Sequence, residues 1–257
     1  MKIFVLSDPH LGFRVDKPMD RFGRRWEAHS EKIAHNWKAL VGEDDSVLIP
    51  GDISWALRLD EALDDLRFLH ELPGRKILLR GNHDYWWQSL AKVETFCLSE
   101  GFTSLSFLQN TAIPLGDEFV VAGSRLWLWN DDPRFKAADQ KIFSREEIRL
   151  RLSLEAAKEF TEKGRRLLVM LHYPPFPRNL RENSITAMIS EAGAEAVYFG
   201  HIHQQNSPYA FTGKMVGGIP YSLCSADYLN FTPVLAAQSS ALRNGQEGEG
   251  EVYFDEI

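Results

Sequence analysis

Residues 77–84 read Ile77-Leu78-Leu79-Arg80-Gly81-Asn82-His83-Asp84, an apolar run that ends in a glycine turn carrying polar side chains. The run predicts a buried strand, and the turn places Asn82 and His83 at its carboxyl end, where a ligand could bind. Taken alone, the same turn could be an ordinary loop. Four other stretches share this form, because an apolar run ends abruptly in Asp or His at residues 8–10, 51–52, 172 and 200–203. We therefore predict that the chain delivers polar residues to one edge of a sheet.

The composition is that of an ordinary globular protein, with 44% hydrophobic and 25% charged residues among 257. A net charge of −7 repels a nucleic-acid backbone, so binding of DNA or RNA would need a local basic patch. The candidate patch is Arg14 with the arginines of residues 21–25, although a solvated loop is the preferred interpretation. Nucleic acid is therefore not a favoured partner.

Two observations favour a cytoplasmic protein without a membrane partner. The apolar run in residues 1–8 is much shorter than a signal-peptide core and predicts a first strand, and no stretch approaches the ~20 apolar residues that cross a bilayer. Cys97 and Cys224 are far apart in sequence, which argues against a disulfide scaffold or a zinc ribbon. We expect two buried thiols, and the composition leaves the oligomeric state open.

The first 80 residues predict the order β-α-β-α-β. Strands at 3–6, 46–50 and 76–79 alternate with amphipathic helices at 27–41 and 59–69. This order implies parallel strand pairing through right-handed crossovers.

Further elements are predicted beyond this unit. They are a helix at 85–96, two strands within 107–124 around a turn at 115–117, a helix from the capping box Ser144-Arg145-Glu146-Glu147 to about residue 163, a strand at 167–171, a helix at 184–192, a strand at 196–199, and closing strands near 215–216, 233–235 and 252–254. No linker divides the chain, so residues 1–257 are predicted to form a single domain. The charged helical segment 130–166 is either a cap or an outer helix, the latter being preferred, and 239–251 is predicted to be a mobile glycine-rich loop.

Seven potential metal ligands lie at five predicted strand ends, where open α/β sheets bind ligands. They are Asp8, His10, Asp52, Asn82, His172, His201 and His203. Carboxylate, imidazole and amide oxygen suit Mn, Fe, Zn or Ni and do not suit a thiolate-preferring metal. Seven ligands are too many for one tetrahedral ion with an open position, whereas two ions sharing one carboxylate would use them all.

Two such ions, ~3.5–4 Å apart, can hold a bridging hydroxide that attacks phosphorus and can clamp the attacking and leaving oxygens of a phosphoryl group. This arrangement predicts hydrolysis of a phosphate ester. Each position also has a structural alternative, since Asp8 could be a turn residue, Asp52 a helix N-cap and His172 a hydrogen-bonded core histidine.

His201 and His203 need a separate argument, because alternate residues of a strand face opposite sides. A turn at Gly200 removes this constraint, and we therefore treat both histidines as loop residues. The other three histidines, His29, His35 and His70, are predicted on helices and are assigned no function.

The ordered motifs resemble those of the calcineurin-like metallophosphoesterases. The matching segments are Asp8-Pro9-His10, Gly51-Asp52, Gly81-Asn82-His83-Asp84, His172 and Gly200-His201-Ile202-His203. The resemblance implies an α/β fold, a four-layer αββα sandwich whose two central mixed β-sheets carry the metal site at the C-terminal ends of their strands.

The resemblance also implies a division of the ligands between two ions. One ion would be held by Asp8, His10, Asp52 and His203, and the other by Asp52, Asn82, His172 and His201, with Asp52 bridging. His83 matches the family's histidine that is not a ligand, which protonates the leaving alkoxide or stabilises the phosphate.

One motif departs from the protein phosphatases of this family, which continue it as Gly-Asp-x-x-Asp-Arg-Gly. Here Trp55 and Ala56 stand in place of the carboxylate partner of the catalytic histidine and a phosphate-binding arginine. This argues against a Ser/Thr protein phosphatase and leaves open what orients His83. Asp84 is adjacent in sequence, but adjacency does not place it against the ring.

The predicted substrate is a small phosphomonoester or phosphodiester, such as a nucleotide. Several tryptophans near the motifs could stack on a base, although core packing is preferred for Trp55, Trp86, Trp87, Trp127 and Trp129. Arg14, Trp55 and Trp86 are the candidate substrate contacts. The alternatives are a metal-dependent nuclease, supported by the arginines after Leu11, and a catalytically silent binding module, which the intact ligand set argues against.

Overall fold

The computed structural model describes residues 1–240 and forms two β-sheets with helices on their outer faces. The strands are β1 (Lys2–Val5), β2 (Ser46–Ile49), β3 (Arg75–Leu79), β4 (Leu105–Leu108), β5 (Ile113–Leu115), β6 (Phe119–Ser124), β7 (Arg166–Leu171), β8 (Ala194–Phe199), β9 (Lys214–Val216), β10 (Ile219–Leu223) and β11 (Val234–Gln238). The helices are α1 (His29–Leu40), α2 (Leu63–Glu71), α3 (Leu90–Ser99), α4 (Asp139–Thr161) and α5 (Ser184–Glu191), with 3₁₀ turns at Met19–Phe22 and Arg24–Trp26. The loop predicted at 239–251, apart from its first two residues, and the strand predicted at 252–254 lie outside the described residues.

Both sheets are mixed. The first has the strand order β11-β1-β2-β3-β4, in which β1 to β4 run parallel and β11 pairs antiparallel to β1. The second has the order β5-β6-β7-β8-β10-β9, in which the four central strands are parallel and β5 and β9 are antiparallel edges. The predicted β-α-β-α-β order is therefore confirmed.

The strands are apolar at consecutive positions because each sheet is buried on both faces. In β1, Ile3 and Val5 point into the layer between the two sheets, whereas Phe4 packs in the core beneath α1, α2 and α3. A third core, which includes Val120 and Leu154, joins the second sheet to α4 and α5. Three apolar layers between four layers of secondary structure confirm the predicted αββα sandwich.

The helix boundaries differ from the predicted ones where local hydrogen bonds override the pattern. α4 begins at Asp139, so the predicted capping box at Ser144 lies inside the helix. Asp139 occupies the first turn, where a carboxylate is favoured by the helix dipole, and accepts a bond from the Lys136 amide. α3 begins at Leu90 because the Ser89 hydroxyl accepts the Lys92 amide.

The segment 130–166 contributes α4, which lies along β6. Its residues Leu150, Leu154 and Ala157 are buried in the core with Val120. α4 is therefore an outer helix of the second sheet.

The strand β10 lies outside the predicted elements, and it contains Pro220, a residue that is more typical of an edge strand or a loop. It pairs parallel to β8 on one side and with the short β9 on the other. Both cysteines are buried and free, as expected. Within residues 1–240, no helix combines the length and the hydropathy of a membrane span.

The connection after β8 depends on Gly200, which packs against the first strand's loop. A Cβ atom at this position would overlap Ser7 Oγ and Asp8 Oδ2. We expect Gly200→Ala to lower the free energy of unfolding of the metal-stripped protein by about 1–3 kcal/mol, the usual range for overpacking, in urea denaturation. Gly42→Ala is the control, because its Cβ would meet only Asp45 Oδ2 at 3.5 Å. Equal losses in the two variants would contradict this account.

Candidate metal centre

The loops after five parallel strands bring the seven predicted ligands together. Each follows its strand by one to five residues, and β8 ends at Phe199, so His201 and His203 are loop residues as predicted. Four of the seven have left-handed backbone conformations, with φ of 56° at Asp8, 46° at His10, 50° at Asp52 and 69° at His201. Non-glycine residues rarely adopt this conformation, and such strain concentrates at functional sites.

The first group of ligand atoms comes from Asp8, His10 and His203. Their side-chain donor atoms lie within 4.8 Å of one another. The Nε2 atoms of His10 and His203 are 3.2 Å apart, and His203 Nε2 is 3.8 Å from Asp8 Oδ1. The three side chains therefore converge on one position.

The second group comes from Asp52, His172 and His201, whose donor atoms also lie within 4.8 Å of one another. His172 Nε2 is 3.4 Å from Asp52 Oδ1 and 2.8 Å from the side-chain oxygen of Asn82. Asn82 therefore joins this group.

Asp52 lies between the two groups. Its Oδ2 is 3.8 Å from His10 Nε2, while its Oδ1 faces His172 Nε2. One carboxylate thus presents an oxygen to each group, which is the arrangement required of a bridging ligand.

Hydrogen bonds behind two histidines fix which nitrogen faces the centre. His172 Nδ1 donates to the Pro50 carbonyl at 3.0 Å, and His203 Nδ1 donates to Asp227 Oδ1 at 2.8 Å. Each Nε2 is therefore left with its lone pair directed at the ligand groups, as in metal-bound histidines.

The charges at the centre fit a cation. Asp8 and Asp52 are 0% and 1% exposed, and within residues 1–240 their ion-pair partners are histidines alone. Burial raises the pKa of Asp8 to about 6, and burial together with the charges of Asp8 and Asp84 raises that of Asp52 well above its usual value. Burial lowers the pKa of His10 and His172 well below the usual range, so these rings are neutral donors. Two buried carboxylates beside the neutral rings of His10 and His172 fit divalent metal ions.

A cavity of about 570 Å³ opens onto this centre. Asp52, His83, His201 and His203 form part of its wall. Asp132, Arg134, Arg178 and Tyr209 also line it. The metal groups are therefore accessible to a small molecule.

Comparison with known proteins agrees with this geometry. The sequence model of the calcineurin-like phosphoesterase family matches residues 1–205, a range that contains all seven ligands. The chain belongs to this family.

Relatives of this calcineurin-like protein include two phage proteins. The Gene 66 protein of Mycobacterium phage L5 is 36% identical over 78 residues, covering 30% of this chain and 37% of the phage protein. The Gene 66 protein of Mycobacterium phage D29 is 39% identical over 83 residues, covering 32% and 40%. The matches therefore span less than half the length of either relative. The crystal structure of AQ665, a protein of unknown function from Aquifex aeolicus, has a TM-score of 0.49 and 15% identity over 91% of this chain and 95% of that one.

Asp84, unassigned from sequence, ties together the loops after β2 and β3. Its buried carboxylate accepts bonds from the backbone amides of Ile53 at 2.8 Å, Ser54 at 3.1 Å and Gly81 at 2.7 Å. It also accepts the indole N–H of Trp86, which is fully buried. Asp84 therefore anchors the two loops. Because Trp86 is fully buried, the prediction that it contacts substrate is wrong.

His83 lies against Trp55 instead of a carboxylate partner. The His83 amide donates to Asp52 Oδ1 at 2.8 Å, and its ring centroid is 4.3 Å from that of Trp55. The Trp55 ring also stacks on His10, at 4.8 Å and 18°, with the Lys17 ammonium 3.8 Å from its centroid. Trp55 thus lies at the site, where it packs on a ligand and on His83.

The arginines after Leu11 do not line the metal cavity. Arg14 donates from Nε to Asp64 Oδ2 at 2.5 Å and from Nη1 to the Asp60 carbonyl, so the prediction that it contacts substrate is not supported. Arg25 donates from Nη2 to the His203 carbonyl at 2.6 Å and pairs with Asp227 at 2.7 Å. Arg25 therefore contacts both His203 and the carboxylate that is hydrogen-bonded to it.

Sequence reasoning missed Asp227 and the arginines of the cavity. Asp227 follows β10. Because this strand is not among the predicted elements, the carboxylate after its C-terminal end is not among the predicted site residues. Arg134 and Arg178 lie in loops without a motif. Only the fold brings them to the cavity.

Asp227 is expected to support metal binding through His203. Because loss of such an outer partner typically costs about 10–100-fold in metal affinity, we expect Asp227→Ala to weaken binding of one of two ions by that factor. Calorimetric titration of the metal-stripped protein with Mn²⁺ or Zn²⁺ measures the affinity of each of the two ions. Asp16→Ala, an exposed carboxylate, is the control. Wild-type affinities in Asp227→Ala would show that His203 needs no orienting partner.

Proposed function

We propose that the protein is a two-metal phosphoesterase that hydrolyses a small phosphate ester. The observation that carries this proposal is the position of Asp52, which presents one oxygen to each of two ligand groups at the wall of an open cavity. Membership of the calcineurin-like phosphoesterase family supports it.

The ligand groups support the division of metals expected from the sequence. The first ion would be held by Asp8, His10, Asp52 and His203, and the second by Asp52, Asn82, His172 and His201. When bound, two ions of the Mn, Fe, Zn or Ni type would supply the nucleophile and neutralise phosphoryl charge.

His83 is assigned to the phosphoryl group. Its side chain is 36% exposed and lines the cavity beside Asp52. Burial, with smaller contributions from Lys17 and His203, lowers the pKa of His83 to about 4. A ring that is neutral at pH 7 is suited to donate a hydrogen bond to a phosphoryl oxygen. Of its two expected roles, this favours phosphate stabilisation over proton donation.

The cavity supports a small substrate with an anionic group. Its volume of about 570 Å³ lies in the usual range of small-molecule sites, about 300–1,000 Å³. Arg134 pairs with Asp132 at 2.8 Å, whereas Arg178 has no ion-pair partner within the described residues. Arg178 would bind a phosphoryl oxygen or a second anionic group, and Tyr209 would pack on the organic part.

The nuclease alternative loses part of its support from sequence. Arg14 and Arg25, two of the four arginines in residues 14–25, are paired with Asp64 and Asp227. A phosphomonoester or phosphodiester of low molecular weight is therefore the proposed substrate class.

Asp52→Asn tests the metal mechanism. Since Asp52 would ligate both ions, we expect this variant to lose metal-dependent hydrolysis of nitrophenyl phosphate and bis-nitrophenyl phosphate while its circular dichroism is unchanged. Asp60→Asn, an exposed carboxylate paired with Arg58, should retain full activity. Full activity in Asp52→Asn would refute the proposal, and the ratio of the two wild-type rates separates a monoesterase from a diesterase.

His83→Asn distinguishes the two roles of His83. Loss of a phosphate-stabilising hydrogen bond should lower kcat by a similar factor for nitrophenyl phosphate and for phenyl phosphate, with both metals retained. Loss of a general acid, worth about 10²–10⁴-fold, should instead be concentrated on phenyl phosphate, the poorer leaving group. An unchanged rate on both substrates would remove His83 from the mechanism.

A further inference from the structure

A second, smaller cavity lies at the same edge of the sheets as the metal centre. It has a volume of about 90 Å³ and is bounded by the C-terminal ends of β3, β4 and β6 and by α4. The metal ligands Asn82 and His172 follow β3 and β7, so this cavity lies about one strand further along each sheet. It shares no lining residue with the metal cavity.

The charged residues of this cavity are predominantly basic. Arg80, Arg125 and Arg149 line it together with a single carboxylate, Glu146. Glu146 is 1% exposed, and its Oε1 accepts bonds from Arg125 Nη2 at 3.0 Å and Arg149 Nη1 at 2.7 Å. One carboxylate among three guanidinium groups leaves two positive charges without compensation.

Arg80 is the group without a partner. Within residues 1–240 its guanidinium makes no hydrogen bond or ion pair, and its Nε–H is buried. The Nε–H of Arg125 is likewise buried and unbonded. An unsatisfied buried donor costs about 1–3 kcal/mol, and native proteins leave few of them. An anion in the cavity would satisfy both donors and reduce the repulsion between the guanidinium groups.

The remaining lining favours a small oxyanion. Gln109 accepts the Trp87 indole N–H through its side-chain oxygen, which leaves its amide N–H₂ available to a ligand. Asn110 and Gln88 add further amide groups. A volume of about 90 Å³ exceeds the ~30 Å³ share of one water and is far below the ~300 Å³ of the smallest usual ligand pockets.

We propose that this cavity is a second anion-binding site, which holds a phosphate-sized oxyanion between Arg80 and Arg125. Arginine is suited to this role because its planar fork binds phosphate oxygens in pairs. The ligand is inorganic phosphate or the phosphate group of a small organic molecule that extends towards solvent. The site is independent of the metal ions, because none of its lining residues belongs to the ligand groups.

Calorimetric titration of the metal-stripped protein with inorganic phosphate, at constant ionic strength maintained with NaCl, tests the site without interference from metal-bound phosphate. We expect saturable binding at one site and at least a tenfold loss of affinity in Arg80→Gln. Glu146→Gln should bind several-fold more tightly, since it removes the competing carboxylate. If Glu146 served only to position the arginines, this variant would bind more weakly.

An arginine variant outside both cavities is the control. Arg67→Gln changes a partly exposed arginine that pairs with Asp64, and it should bind phosphate as the wild type does. Unchanged binding in Arg80→Gln, or an equal loss in Arg67→Gln, would overturn the proposal.

Phenyl phosphate identifies the source of the anion in the same metal-stripped protein. Binding that depends on Arg80 for both phosphate and phenyl phosphate would assign the site to the phosphate group of an organic molecule. Arg80-dependent binding of inorganic phosphate alone would assign it to the free ion. No saturable binding of either probe to the wild type would refute the site.

Discussion

Two carboxylates buried side by side without a lysine or arginine partner set the chemistry of this protein. Asp8 and Asp52 lie where the C-terminal edges of the two sheets meet, and within the described residues their ion-pair partners are histidines alone. Burying an uncompensated charge costs several kcal/mol, and neutral imidazoles supply lone pairs without supplying charge. Divalent ions would provide the missing charge and use the same lone pairs. Bound cations would therefore lower the cost of burying these two carboxylates together.

The loops that carry these side chains are held by features with no catalytic part. Asp84 accepts four hydrogen bonds and thereby joins the loops after β2 and β3, which deliver Asp52, Asn82 and His83. Gly81 permits the close approach of these loops, because a Cβ there would overlap the backbone of Asp52. Asp52, which has a left-handed backbone conformation, lies within this network, as expected of strain stored at a functional site.

The surroundings of His83 separate this protein from the protein phosphatases of its family. A tryptophan replaces the carboxylate partner, and Trp55 holds the rings of His10 and His83 by stacking and packing. The Lys17 ammonium also contacts the Trp55 indole. A residue outside the motifs therefore brings a positive charge close to the site. One strand away, the second cavity concentrates three arginines around Glu146. The same edge of the sandwich therefore carries the candidate metal centre beside the proposed anion site.

The sequence by itself determined the family and the β-α-β-α-β order that builds the parallel part of the first sheet, and it predicted the metal ligands as a set, because apolar runs ending in Asp, Asn or His are local patterns. It could not determine which polar residues hold the predicted ligands and their loops in position, since Asp84 and Asp227 act through hydrogen bonds to residues distant in the chain. It also predicted Arg14 and Trp86 at the substrate, whereas the fold pairs Arg14 with Asp64 and buries Trp86. The positions of Arg178 and of the cluster around Arg80 were decided by the tertiary structure alone. Local sequence records which groups a chain carries, but partners and cavities arise only when loops from different strands meet.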